Sequence, residues 1–127
     1  MILPDTDIFI DAFQNHPPAV AWANSVRTQR PALPGFVALE LLAGCRNRRE
    51  VESIDARIST YSILWPTAAA CDAILPVFAS LHVANALGLV DCLIAATALC
   101  HQLRLHTVDQ NHFSAVPGLQ TIQPYTR

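Results

Sequence analysis

The chain has 127 residues, a formal charge of −2, and 52% hydrophobic against 14% charged residues, a balance that excludes intrinsic disorder, a coiled coil and a highly charged tail protein. All eight positive charges are arginines, so chemistry that needs a lysine is closed: the P-loop, Schiff bases and Ser-Lys dyads. With a net negative charge, nucleic-acid contact must come from a local arginine patch rather than from a basic surface.

In chain order, Met1 to Pro4 predicts a very short strand, and Thr6 to Phe13 a helix with Ile8, Phe9, Ala12 and Phe13 facing inward. Pro17 and Pro18 suit a helix start that Ala19 to Arg27 continues. An extended piece from Arg30 to Pro34 precedes a helix over Phe36 to Ala43, ended by Gly44. A solvated helix, about Arg48 to Ser59, leads to a strand at Tyr61 to Trp65. Thr67 then caps a helix running from Ala68 to Leu87, kinked or split at Pro76 and closed by Gly88. Asp91 opens an apolar helix, Cys92 to Gln102, whose alanines permit close packing. Leu103 to Thr107 is a strand, Gln110 to Ser114 a short turn or helix, and Leu119 to Gln123 the last strand. Strands alternating with helices imply an α/β fold: one domain over residues 1–127, with a short parallel sheet flanked by helices on both faces as an α/β/α sandwich.

The four cysteines, at 45, 71, 92 and 100, lack Cys-x-x-Cys or Cys/His ligand spacing. They are expected to be small buried hydrophobes in a reducing cytoplasm. The start, Met1 to Asp5, has no positively charged region, so it does not predict a signal peptide. Between Arg57 and Arg104 the only charges are Asp72 and Asp91. Pro76, Ser80, His82 and Asn85 interrupt this stretch and no arginine flanks it closely, so buried helices are expected rather than a membrane span. A domain this small cannot cover so much uncharged chain by itself, which predicts an apolar face buried by a partner subunit.

In a parallel sheet, ligands gather beyond the carboxyl ends of the strands. Asp5 follows the first predicted strand and Asp109 follows Leu103 to Thr107, so both belong on that rim. Glu40 is the one charge on an otherwise apolar helix, and Asp91 sits between Leu89-Val90 and Cys92-Leu93-Ile94. A carboxylate in apolar surroundings persists only with a partner or a metal. Singly, Asp5 and Asp91 could be helix caps, Asp109 a turn residue, and Glu40 an arginine's partner. Together the four fit one site neutralised by a hard divalent cation, and oxygen-only donors select Mg²⁺ or Mn²⁺.

Four segments carry a family resemblance: Leu3-Pro-Asp-Thr-Asp-Ile-Phe-Ile-Asp11, Ala38-Leu-Glu-Leu-Leu-Ala-Gly44, Leu89-Val-Asp-Cys-Leu-Ile-Ala-Ala-Thr-Ala-Leu99 and Thr107-Val-Asp-Gln-Asn-His-Phe113. In this order they resemble the four acidic motifs of PIN domains, particularly VapC-type toxins. The resemblance implies metal binding and catalysis by Asp5, Glu40, Asp91 and Asp109, with Thr6 and Thr107 as bordering hydroxyls. It further implies a metal-dependent endoribonuclease that hydrolyses RNA phosphodiesters with a metal-activated water, a homodimer, and a cognate antitoxin. Three departures stand out: Pro4 before the first Asp, Pro34-Gly35-Phe36 at the entry to the Glu40 helix, and Asp109 where related toxins often carry Asn.

Arg46, Arg48 and Arg49 are candidates for RNA phosphate contacts, although a short charge run is equally a solvated face. Asp7 and Asp11 read as surface acids favourable early in a helix, and His112 as a packing or hydrogen-bonding residue. Two alternatives use the same residues: a PIN-like interaction module without activity, and a haloacid-dehalogenase-like phosphatase suggested by Asp5-Thr6-Asp7.

Overall fold

Short parallel strands organise the chain in the computed structural model, which describes residues 1–127. β1 (Leu3–Pro4) pairs with β4 (Leu105–His106), which pairs with β5 (Thr121–Ile122), while β2 (Ala32–Pro34) pairs with β3 (Ser62–Leu64). A parallel bridge between Ile2 and Pro31 joins the two ladders, and the Ala32 N–H donates to the Ile2 carbonyl at 2.8 Å. The resulting order is β3-β2-β1-β4-β5. All five are shorter than predicted: β2 and β3 are bounded by Pro31 and Pro66, which lack the N–H that a longer ladder needs, whereas β4 and β5 are short with no proline in their predicted ranges.

The helices connect the strands in two directions. α1 (Thr6–Phe13) and α2 (Pro17–Ser25) lead from β1 to β2, and α3 (Gly35–Ala43) and α4 (Arg48–Ile58) lead from β2 to β3. α5 (Ala68–Asn85) and α6 (Leu89–His101) return the chain across the sheet to β4, and α7 (Gln110–Phe113) leads on to β5. Right-handed crossovers in opposite directions put the two helix sets on opposite faces, the α/β/α sandwich expected from the sequence. The direction reverses between β1 and β4, which makes their carboxyl ends the place where such a sheet opens a crevice. Leu3, Leu33 and Leu105 are fully buried between the layers, with Val37 of α3 and Ile94, Ala95 and Ala98 of α6.

Several boundaries differ from the sequence reading. Pro76 does not split α5, which runs unbroken over 18 residues. Ala86, in the left-handed conformation, ends α5, whereas Gly88 is the N-cap of α6. Asp91 therefore lies inside the first turn of α6 rather than capping it, so its cap role is excluded. Only Cys92 of the four cysteines is buried; the other three are half-buried, and all are unpaired. Gly35 explains one departure from the family pattern: a side chain there would collide with the Trp65 indole, which lies across the start of α3.

Asp11 is the clearest correction, since it is buried rather than on the surface. Its two oxygens accept from the Tyr125 hydroxyl and the Arg127 guanidinium, each at 2.8 Å. Only a contact more than 110 residues away in sequence provides those donors, which is why local helix logic misplaced this residue. Burial, together with the Asp11 carboxylate it donates to, holds the Tyr125 phenol above its ordinary pKa. Tyr125→Phe leaves the buried carboxylate with one donor fewer and should cost about 1–2 kcal/mol. The urea midpoint measures this, and an unchanged midpoint would mean that Arg127 alone holds Asp11.

α5 is long and apolar enough to cross a membrane by length and composition. It packs along α6, and Ile74 is its one buried residue. Leu75 is 64% exposed, Val83 91% and, at the start of α6, Leu89 63%. Within the uncharged stretch, α6 therefore supplies core, whereas α5, expected as a buried helix, is largely uncovered within one chain.

Candidate active site

Asp5, where β1 ends, is only 5% exposed. Its Oδ1 accepts the Thr6 N–H at 2.6 Å as the N-cap of α1, and its Oδ2 accepts the Thr107 hydroxyl at 3.0 Å. Thr107 follows β4 and is fully buried, and its oxygen also accepts the Asp109 N–H at 3.1 Å. The parallel pairing of β1 with β4 therefore brings residues 5 and 107 together. One buried hydroxyl links the first acid to the backbone of the fourth.

The other acids reach the same place from different elements. Glu40, partly buried on α3, accepts the Thr6 hydroxyl at 2.6 Å rather than pairing with an arginine. Asp91, on the first turn of α6, accepts from His112 Nε2 at 2.6 Å. Asp109 is the N-cap of α7 and its Oδ1 accepts the His112 N–H at 3.3 Å. Asp5, Glu40, Asp91 and Asp109 line one cavity of about 270 Å³, with Asp7 and His112 at its wall. The structure thus brings together all four acids expected from the sequence, with Thr6 among them and Thr107 beneath.

The three arginines stand apart from that cavity. Arg46 is held by Glu50, with its Nε and Nη2 donating to one carboxylate oxygen at 3.0 and 2.9 Å. Arg48 and Arg49 open α4 and are exposed. Two contributors were not assigned to the site from the sequence. Asp7 lies 3.5 Å from Arg127 and half faces the cavity. His112 joins two of the acids, and its signal in the sequence was its place three residues after Asp109, the first-turn spacing of a capped helix.

Crowding of like charges shapes the electrostatics. Burial pushes the Asp5 carboxyl up from 3.8 to about 6, opposed by its bonds to Thr6 and Thr107 and reinforced by Asp91 and Asp7. His112 is raised above the ordinary imidazole value, first by its hydrogen bond to Asp91. A carboxyl held this high at neutral pH is one that a cation would relieve. No three His, Cys, Asp or Glu side chains stand close enough to form a ready-made metal cage. Mg²⁺ does not require one, because it keeps several waters and takes one or two carboxylates directly. The donor set, oxygens on a polar cavity beside a strained carboxyl, fits Mg²⁺ or Mn²⁺.

Comparison with known proteins agrees with this architecture. The sequence matches the PIN domain family over residues 2–119. The chain is a PIN domain. That membership displaces the haloacid-dehalogenase-like alternative. Solved structures share the fold of this PIN domain along nearly its whole length. A chain of a toxin-antitoxin complex from Klebsiella pneumoniae aligns with a TM-score of 0.75 and 24% identity, covering 100% of both chains. A chain of DNA-bound VapBC from Salmonella typhimurium gives 0.81 and 21%, covering 98% of this chain and 100% of that one. VapBC2 from Rickettsia felis, bound to a promoter DNA fragment, gives 0.80 and 22%, covering 96% and 98%. None of the curated proteins compared by sequence matches this chain.

Proposed function

We propose that this PIN domain is a Mg²⁺- or Mn²⁺-dependent endoribonuclease, the toxin of a VapBC-like toxin-antitoxin pair acting in the cytoplasm. The observation that carries the reading is the convergence of Asp5, Glu40, Asp91 and Asp109 on one cavity at the sheet's switch point. In this reading the four carboxylates hold the cation. Thr107 fixes the rotamer of Asp5 and Thr6 that of Glu40, since each hydroxyl donates to its carboxylate. A divalent cation held there supplies neutralisation of phosphodiester charge and acidification of a water. Arg48 and Arg49, exposed at the start of α4, serve RNA phosphates, whereas Arg46 is already engaged by Glu50.

A second cavity supports an antitoxin partner. It measures about 390 Å³ between α1, α3 and α4, with Ile10, Phe13, Leu41 and Ile54 on its walls. Glu40 and Ile10 border both cavities, so an apolar segment lying in this one would end at the acids. The exposed side chains of α5 and α6 support a homodimer. The unpaired cysteines are compatible with a reducing compartment.

The test is cleavage of single-stranded RNA by purified protein. Cutting should require Mg²⁺ or Mn²⁺, stop in EDTA and return when the metal is restored. An Asp91→Asn protein that cuts as well as the parent would identify a contaminating nuclease and sink the assignment, leaving the interaction module without activity.

A further inference from the structure

Around the acid cavity, Thr6 joins Asp5 to Glu40, and His112 contacts the other two carboxylates. Its N–H donates to Asp109 Oδ1 at 3.3 Å and its Nε2 meets Asp91 Oδ2 at 2.6 Å. Asp91 and Asp109 belong to different elements, one in the first turn of α6 and one at the cap of α7. We propose that His112 is a positioning residue that ties Asp91 to Asp109, so that these two carboxylates meet a divalent cation as one preset unit. The inference rests on the metal-dependent reading above.

The surroundings of His112 show how the tie is kept rigid. α7 has only four residues, too few for a helix to hold itself. Its last residue, Phe113, beside His112, is 1% exposed and anchors the turn in the core. The Phe113 ring meets the imidazole edge-on at 5.4 Å and 87°. On the other side, Asp91 Oδ2 lies 3.2 Å from where a Cβ on Gly88 would be. Gly88 therefore leaves room for the carboxylate to lie back over the helix start, where His112 meets the same oxygen. A hydrogen bond to a carboxylate needs a hydrogen on Nε2, and the partner of a ligating carboxylate sets its orientation and its readiness to bind metal. Oδ1 of Asp91 has no hydrogen-bond donor in the structure and is the oxygen left for a cation.

Mn²⁺ binding, followed by electron paramagnetic resonance of the free ion without RNA, tests this independently of cleavage. His112→Ala should weaken Mn²⁺ binding about 10- to 100-fold. His112→Gln keeps an N–H donor and should recover most of the affinity. Both variants should melt cooperatively near the parent temperature. Unchanged or tighter binding by His112→Ala would overturn the proposal. So would equal loss in both variants, which would make the imidazole itself a ligand, or loss of cooperative melting in both, which would make it a packing group. Failure of the parent protein to take up Mn²⁺ would sink the nuclease reading and this inference with it; uptake by the parent with no effect of His112→Ala sinks only the inference.

Discussion

Asp5→Asn should abolish RNA cleavage and at the same time make the metal-free protein more stable. Both effects follow from the same carboxyl. In the folded protein its pKa stands at about 6 against an ordinary 3.8, so the folded state binds this proton more tightly than the unfolded chain. A raised folded pKa gives stability that is complete below about pH 4 and is lost as pH rises through about 6. At pH 7.5 the ionised, buried carboxylate therefore destabilises the fold by up to about 3 kcal/mol. Asn removes the charge while its side-chain oxygen can still accept the Thr6 N–H.

In EDTA at pH 7.5, Asp5→Asn should raise Tm by about 5–10 °C, and the gain should vanish near pH 4, where the parent carboxyl is protonated. Millimolar Mg²⁺ should stabilise the parent by mass action and leave the variant nearly unmoved. A fall in Tm at neutral pH would show that Asp5 serves the fold chiefly as a cap. In that case its charge would not be the cause of the strain.

Replacing Leu75 by Arg should turn a dimer into a monomer. Leu75 and Leu89, both more than 60% exposed, border an apolar groove of about 190 Å³ between α5 and α6, together with Ile74, Phe78 and Leu93. Leu39 and Trp65 add exposed apolar surface, at 51% and 49%. Exposed apolar surface gathered around such a groove marks an interface, and a well-packed residue at an interface centre is worth about 2 kcal/mol or more. A guanidinium in its place would have to be desolvated with no partner. Light scattering at micromolar concentration should give twice the chain mass for the parent and the chain mass for Leu75→Arg, with the same far-ultraviolet circular dichroism. A monomeric parent would overturn the dimer.

The sequence by itself determined most of the element order, because caps and breakers act locally. Thr67 accepts the Ala70 N–H at 3.1 Å as the expected cap of α5, and Gly44 ends α3. It also determined which acids to suspect, since Glu40 and Asp91 interrupt apolar helices where a lone carboxylate is costly. Strand lengths were overestimated because hydrophobic runs continue past the residues that pair, and prolines mark that limit only at β2 and β3, beside Pro31 and Pro66. Asp91 was misplaced by a few residues because glycine caps a helix without the side-chain signature of Asp.

Tertiary structure alone decided what each carboxylate touches. Nothing local says that Asp11 would be buried under Tyr125 and Arg127 while Asp7, four residues earlier, stays half open. Nor does it say that His112 would reach Asp91, or that Thr107 would stand beneath Asp5. These contacts cross 21 to 116 residues of sequence. They exist because parallel pairing of β1 with β4 sets residues 5 and 107 side by side, and because the reversal of strand order there leaves a crevice that α3, α6 and α7 border with their acids. Periodicity can place a carboxylate on a helix, but only the packing of the layers chooses its neighbours, and the neighbours set its charge.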